Sequence, residues 1–174
     1  MLIVLCGLPA SGKSALADAL GRALPAPVLS VDPVEAALHR AGVGREQPTG
    51  LAAYAVTQAL AGENLRLGLD VVVDAVNDAP EARDAWVEVA RRHGVPARFV
   101  QVTCPDVDLH RRRLRERRRD LDGFPEPTWE SVQARRHAFD SWDGERLVLD
   151  SRRPPADLAA EVLAHLRAQP AGRG

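Results

Sequence analysis

Lysine is almost missing from this chain. Among 174 residues there is one, Lys13, while the remaining cationic side chains are arginines. The bias that removed lysine elsewhere spared this position, where arginine's planar fork cannot replace a compact ammonium. Cysteine is scarce too: Cys6 and Cys104 make no disulfide framework. Both fall at the ends of predicted strands and read as packed small residues without a redox role. No apolar run is long enough to span a membrane, and no basic segment precedes the short apolar run at the start. Met1-Leu2-Ile3-Val4 begins a strand directly, which leaves nothing for a targeting peptide, so a cytoplasmic location is expected. An excess of charge is lacking as well: the formal net charge is −1, which excludes a global attraction to nucleic acid. There is no internal repeat and no low-complexity segment. The length and the 45 % apolar content predict one domain over residues 1–174 with a sizeable core.

What is present is organised around Gly7-Leu8-Pro9-Ala10-Ser11-Gly12-Lys13-Ser14, which fits the phosphate-binding pattern G-x-x-x-x-G-K-[ST] at every fixed position. Leu2-Ile3-Val4-Leu5-Cys6 before it reads as a buried strand. After it, Leu16, Ala19, Leu20, Ala23 and Leu24 recur at helical spacing. Gly7 and Gly12 let the backbone turn so that successive N–H groups face an anion. The helix starting near Lys13 and Ala15 adds its positive end. Lys13 is placed to reach the outer phosphates of ATP, and Ser14 to offer its hydroxyl to Mg²⁺.

The rest of the chain alternates strands and helices. Val28 to Val31 predicts a second strand, with Asp32 at its end and a helix from Pro33 to Ala41, because the residue before proline is pushed towards extended geometry. Residues 42–50 read as a flexible connection and residues 49–67 as a long helix. Val71-Val72-Val73 is a third strand, buried on both faces, ending in Asp74. Asp78 and Glu81 predict a capping box for a helix reaching His93. Residues 98–103 form a fourth strand, 107–119 a basic helix, 120–128 a loop and 129–139 a helix capped by Thr128. Residues 147–149 form a fifth strand and 156–166 a last helix, with 169–174 a frayed tail. This alternation implies a parallel, doubly wound α/β sheet, which binds ligands at the carboxyl ends of its strands. The phosphate loop, Asp32, Asp74 to Asn77, Thr103 to Pro105 and Asp150-Ser151 converge there.

Each polar residue at that edge has a role to weigh. Asp32 is a helix cap or the general base for an incoming hydroxyl, and both can hold at once. Asp74 sits where a Walker-B aspartate would hold Mg²⁺ through water. Asn77 is a loop former by default and a substrate contact in the functional reading. The run from His110 to Arg119 is a solvated face, a nucleic-acid patch or the arginine-bearing part of a lid over residues 107–128. Arg113 and Arg117, four apart and on one helix face, are favoured to stabilise charge on the γ-phosphate.

With these residues placed, the chain resembles the small P-loop kinases of the AAA_33 type. Their relatives include polynucleotide 5′-hydroxyl kinase, gluconate and shikimate kinases, and chloramphenicol phosphotransferase. The resemblance runs over nearly the whole chain. It rests on Gly7 to Ser14, Ser30-Val31-Asp32, Val73 to Asn77 and Arg113-x-x-x-Arg117. It implies a three-layer sandwich with strand order 2-3-1-4-5 and an arginine-rich lid. It also implies Asp32 as base, and Ser151, Arg152 and Pro154 bordering the nucleotide base. The expected activity is transfer of the γ-phosphoryl group of ATP, with Mg²⁺, to a hydroxyl of a small molecule. A nucleic-acid 5′-hydroxyl acceptor is less favoured, since charge is balanced and there is no obvious stacking strip. A nucleotide-binding regulatory or toxin-like protein with little turnover is the third reading.

Overall fold

A computed structural model describes residues 1–117 and 126–169. Its centre is β1 (Leu2–Cys6), five apolar residues of which none is exposed to solvent. β1 is buried because it has a strand on either side and helices on both faces. It pairs in parallel with β3 (Val71–Asp74), Leu2 opposite Val71 and Leu5 opposite Asp74, and with β4 (Ala97–Thr103), Cys6 opposite Gln101. β2 (Val28–Ser30) adds to β3, and β5 (Leu147–Asp150) to β4. The order is therefore β2-β3-β1-β4-β5, all parallel as the alternation implied and in the order the family resemblance implied.

The helices are α1 (Lys13–Ala23), α2 (Val31–Arg40), α3 (Thr49–Arg66), α4 (Pro80–Arg92), α5 (Val107–Glu116), α6 (Trp129–Asp140) and α7 (Pro155–Ala168). Successive strand residues point to opposite faces, so β1 feeds two cores. Leu2, Val4 and Cys6 pack with Trp86 and Val89 of α4 and Phe139 of α6. Ile3 and Leu5 pack with Leu16 and Leu20 of α1 and Leu158 and Val162 of α7. Burying each such leucine, isoleucine or valine contributes about 1.5–3 kcal/mol. The two cores pin the register of the central strand and so the position of the loop that leaves it. Cys6 and Cys104 are buried free thiols, and burial pushes the Cys6 thiol up to about 12, which makes it inert at neutral pH. No helix among the described residues is long and apolar enough to cross a membrane.

Most boundaries shift by a residue or two from the sequence expectation, and three of the differences have a clear physical cause or bear on the site. α2 begins at Val31, with Ser30 at its N-cap, so Asp32 lies in the first helical turn instead of ending a strand. Pro33 causes no break because first-turn N–H groups have no intrahelical acceptor to lose. α4 begins at Pro80 with Ala79 at the N-cap, and Asp78 and Glu81 form no capping box. The fixed φ of proline at the first helical position makes the cap dispensable. α5 ends at Glu116, short of Arg119, and Arg117 leaves the helix with ψ 117°. Residues 118–125, shared by the predicted loop and lid, lie outside the described residues, as do residues 170–174 of the predicted tail, while residues 107–116 of the lid form α5. Thr128 caps α6 as expected, accepting a hydrogen bond from the Ser131 N–H at 3.2 Å.

Candidate active site

The phosphate loop leaves the end of β1 and returns as α1. Gly7 adopts φ 145°, and a Cβ there would meet the Val102 carbonyl at 2.4 Å. Gly12 adopts φ 104°, and its Cβ would meet the Ser151 side chain at 2.8 Å. Both glycines are thus required by close approach as well as by backbone geometry. Ala10 takes φ 61° at the crown of the loop, an uncommon value for a residue with a side chain. Leu8 is half-buried against the core, and its carbonyl accepts from the Ser11 N–H at 3.1 Å.

Polar groups inside this loop lack ordinary partners. α1 has no side-chain cap, so its first N–H groups face the loop. Ser11 is 1 % exposed, and its hydroxyl makes no hydrogen bond. Lys13 is buried and donates to the carbonyls of Gly7 at 2.9 Å and Leu8 at 3.0 Å, which leaves the third ammonium proton for another acceptor. Burial pushes the Lys13 pKa down, and the Asp74 and Asp32 carboxylates oppose that shift. Unsatisfied donors around a concave loop at a helix N-terminus constitute an anion site.

The neighbouring strand supplies a carboxylate. Asp74, at the end of β3 and 7 % exposed, accepts from the Ser14 hydroxyl at 2.7 Å and from the Ser30 hydroxyl at 3.4 Å. One hydroxyl and one carboxylate fit Mg²⁺, which keeps several waters and takes further oxygens from phosphate. Among the described residues there is no group of three or more His, Cys, Asp or Glu side chains that would form an all-protein cage.

Asp32 and Arg117 close the site, although 85 positions separate them. Their side chains form an ion pair at 3.4 Å, and Arg117 also pairs with Glu126 at 3.7 Å. Both line a cleft of about 280 Å³ with Lys13, Ser14 and Asp74. They also line a second, larger cleft of about 670 Å³ that runs on between α2, α3 and the start of α6. The two clefts share Pro9, Asp32, Ala75, Val76 and Arg117, so the pair stands where they join. Arg113 lies on the other side of the loop. It donates to the Ser151 hydroxyl at 2.7 Å and the Ser151 carbonyl at 2.9 Å. Beyond Ser151, the exposed Arg152 folds back on Asp150, its Nε donating at 2.7 Å.

The substrate contact expected of Asn77 is not open to its side chain. Asn77 is 0 % exposed: its amide donates to the Leu5 carbonyl at 2.8 Å and accepts from the Trp86 indole N–H at 2.9 Å. Its φ of 54° explains the choice of asparagine, which tolerates the left-handed region. Arg83 braces the same turn by donating to the carbonyls of Asn77 at 3.0 Å and Asp78 at 2.6 Å.

Sequence reasoning passed over His110 within its charged run. The ring is 1 % exposed, and its Nε2–H donates to the Pro9 carbonyl at 2.8 Å, tying α5 to the phosphate loop. It meets Trp129 edge-on at 5.3 Å, and burial pushes its pKa down. The signal was available: His110 and Leu114 are four apart and form the buried face of α5.

Fold and loop together define a P-loop protein with a kinase-like architecture. The chain belongs to the AAA_33 family, described as an AAA domain, whose profile matches residues 2–139. No curated protein matches the chain in sequence. Among solved structures, Kti12 of Chaetomium thermophilum in complex with ADP-AlF3 is similar at TM-score 0.72 and 22 % identity, covering 99 % of this chain and 100 % of that one. An unliganded sugar kinase from Janibacter sp. is similar at TM-score 0.70 and 16 % identity, over 97 % and 95 % of the two chains. The APS kinase of Mycobacterium tuberculosis with AMPPNP and APS is similar at TM-score 0.66 and 22 % identity, over 95 % and 96 %. At these identities the likeness is one of fold.

Proposed function

We propose that this protein is an ATP-dependent phosphotransferase that moves the γ-phosphoryl group to a hydroxyl of a small molecule. The observation that carries the reading is the placement of Asp32 where the phosphate-loop cleft opens into the larger one. A nucleotide switch needs the first cleft alone. A kinase needs a second space for an acceptor and a proton-accepting group between the two.

In this reading the loop N–H groups and the Ser11 hydroxyl hold the phosphates of ATP, and Lys13 turns from the loop carbonyls to the β- and γ-phosphates. Ser14 and Asp74 hold Mg²⁺, which neutralises charge on the phosphate oxygens when bound. The acceptor oxygen forms a bond to the γ-phosphorus as the bond to the β-phosphate oxygen breaks. The acceptor proton passes to the Asp32 carboxylate, and ADP departs. Arg117 releases Asp32 to stabilise charge on the transferring group. Arg113, clamped to Ser151 beside Gly12, steadies the outer wall of the nucleotide site, with Ser151 and Arg152 bordering the nucleotide base. The names of two similar structures, one with ADP-AlF3 and one with AMPPNP and APS, support a nucleotide at the loop and an acceptor beside it.

The test is ATP consumption, with product identified, across sugars, nucleosides, antibiotics and 5′-hydroxyl oligonucleotides. Transfer to at least one hydroxyl compound is expected from the parent protein and none from Lys13→Ala, which also binds ATP more weakly. Undiminished transfer by Lys13→Ala would overturn the phosphate-loop assignment.

A further inference from the structure

The larger cleft carries chemistry that phosphoryl transfer itself does not use. Resting on the kinase reading, we propose that Glu35 is an acceptor-binding carboxylate and that the acceptor is a polyhydroxylated compound without an anionic group.

Glu35 follows Asp32 by three residues on α2, so the two carboxylates share a helix face about 5–6 Å apart at their Cβ atoms. Both line the larger cleft. Thr49, buried at the start of α3, donates its hydroxyl to Glu35 Oε1 at 2.9 Å and lies 3.3 Å from His39 Nε2. That contact ties α2 to α3 and occupies one carboxylate oxygen of a residue that lines the cleft, which leaves the other oxygen able to accept from a ligand. A carboxylate accepts hydrogen bonds and gives none. Beside a second carboxylate that takes the reacting proton, its natural partner is another hydroxyl of the same molecule.

Among the described residues, the charges lining the cleft point against an anionic acceptor. Arg117 is countered by Asp32 at 3.4 Å and Glu126 at 3.7 Å, and Arg135 by Asp78 at 3.7 Å. Arg45, which also lines the cleft, is exposed, so water screens it. A phosphate or carboxylate inside would face Glu35, Asp78 and Glu126, with Arg117 engaged at the transferring phosphoryl group and Arg135 paired with Asp78. Among the described residues the cleft also lacks a two-sided stack for a nucleobase. Its aromatic wall is Tyr54, whose hydroxyl accepts from the Asn77 N–H at 3.2 Å. Hydroxyl-bearing walls at Thr49, Tyr54, Thr128 and Ser131 complete a surface suited to a sugar or cyclitol.

The experiment uses the full chain with Mg·ATP and paired probes: glucose with gluconate and glucuronate, myo-inositol, glucosamine, ribose and ribose 5-phosphate. Nucleotide binding is first measured by calorimetry and turnover by product analysis on the wider acceptor panel above, so that failure of the kinase reading shows itself separately, as no Mg·ATP binding or as binding with transfer to no compound of that panel. With nucleotide bound, transfer to uncharged or amine-bearing probes is expected, with the acids far poorer. Glu35→Gln should then raise the KM of that acceptor on the order of 10-fold or more while kcat falls far less. Unfolding midpoint and nucleotide affinity are measured alongside, because a merely structural role would move the midpoint and not the KM. Glu35→Asp should recover part of the loss. Preference for an anionic probe, transfer to none of the probes despite bound Mg·ATP, or an unchanged KM in Glu35→Gln would each overturn the proposal.

Discussion

Replacing Asn77 by alanine separates an interior tether from a substrate contact. The structure assigns three losses to the variant. The buried Trp86 indole N–H loses its acceptor at 2.9 Å, and an orphaned buried donor costs about 1–3 kcal/mol. The Leu5 carbonyl loses the amide at 2.8 Å, worth up to about 1 kcal/mol where the strand ladder still serves that oxygen. Alanine must also hold φ 54°, at about 1 kcal/mol beyond asparagine. Together these come to roughly 2–5 kcal/mol, a large share of the ~5–15 kcal/mol that stabilises a domain. For a chain of this length the melting midpoint should fall by roughly 10 °C. Urea unfolding gives the free energy, and nucleotide binding below the transition should be near normal. A cycle with Trp86→Phe isolates the indole contribution: without the N–H, Asn77→Ala should cost about 1–3 kcal/mol less. Stability within 1 kcal/mol of the parent, or no difference between the two backgrounds, would refute the tether and return Asn77 to the substrate.

Asp32→Asn should slow single-turnover phosphorylation on the order of 10²–10⁴-fold with ATP affinity nearly intact, because asparagine preserves shape but takes no proton. The lost ion pair with Arg117 is partly solvated, so stability should change by at most about 1 kcal/mol, and a near-normal rate would reduce Asp32 to a helix-start residue. Asp74→Asn should shift the Mg²⁺ titration to higher concentration, since one negative charge beside Ser14 is gone; an unchanged titration would make Asp74 a partner of the serines alone. His110 is buried with its Nδ1 unpartnered, and its pKa lies below the ordinary 6.5. Below pH 6.5 the unfolded chain therefore binds a proton that the folded chain refuses, and stability should fall on acidification towards pH 5. His110→Gln, which can still donate to the Pro9 carbonyl, should flatten that dependence as followed by urea unfolding at each pH.

The legible features were those set by neighbours in sequence. Leu2 to Cys6 and Val71 to Val73 are continuous apolar runs, which only burial on both faces satisfies, so a parallel sheet followed from them. Gly7, Gly12, Lys13 and Ser14 are fixed by the turn and the phosphate geometry, and the spacing shows it without a fold. Helix starts were less legible at Val31 and Pro80. Proline there is both a bar to helix before it and a good first-turn residue, and the sequence holds both signals at once.

Contacts between distant segments were decided by tertiary structure alone. Asp32 meets Arg117 because β2 and the end of α5 open on the same side of the phosphate loop, and nothing local to either residue encodes that distance. Gly12 must be glycine partly because Ser151, brought in at the end of β5, occupies the space a Cβ would take. Asn77 carries a side chain equally suited to a ligand or to an interior tether, and the sheet register that sets Leu5 beside it chose the tether. The sequence determined the phosphate loop and the layered sheet because backbone conformation and strand burial are properties of adjacent residues. Partner choice among polar side chains awaited the fold, because a hydrogen bond reaches only about 3 Å and register alone brings its two ends that close.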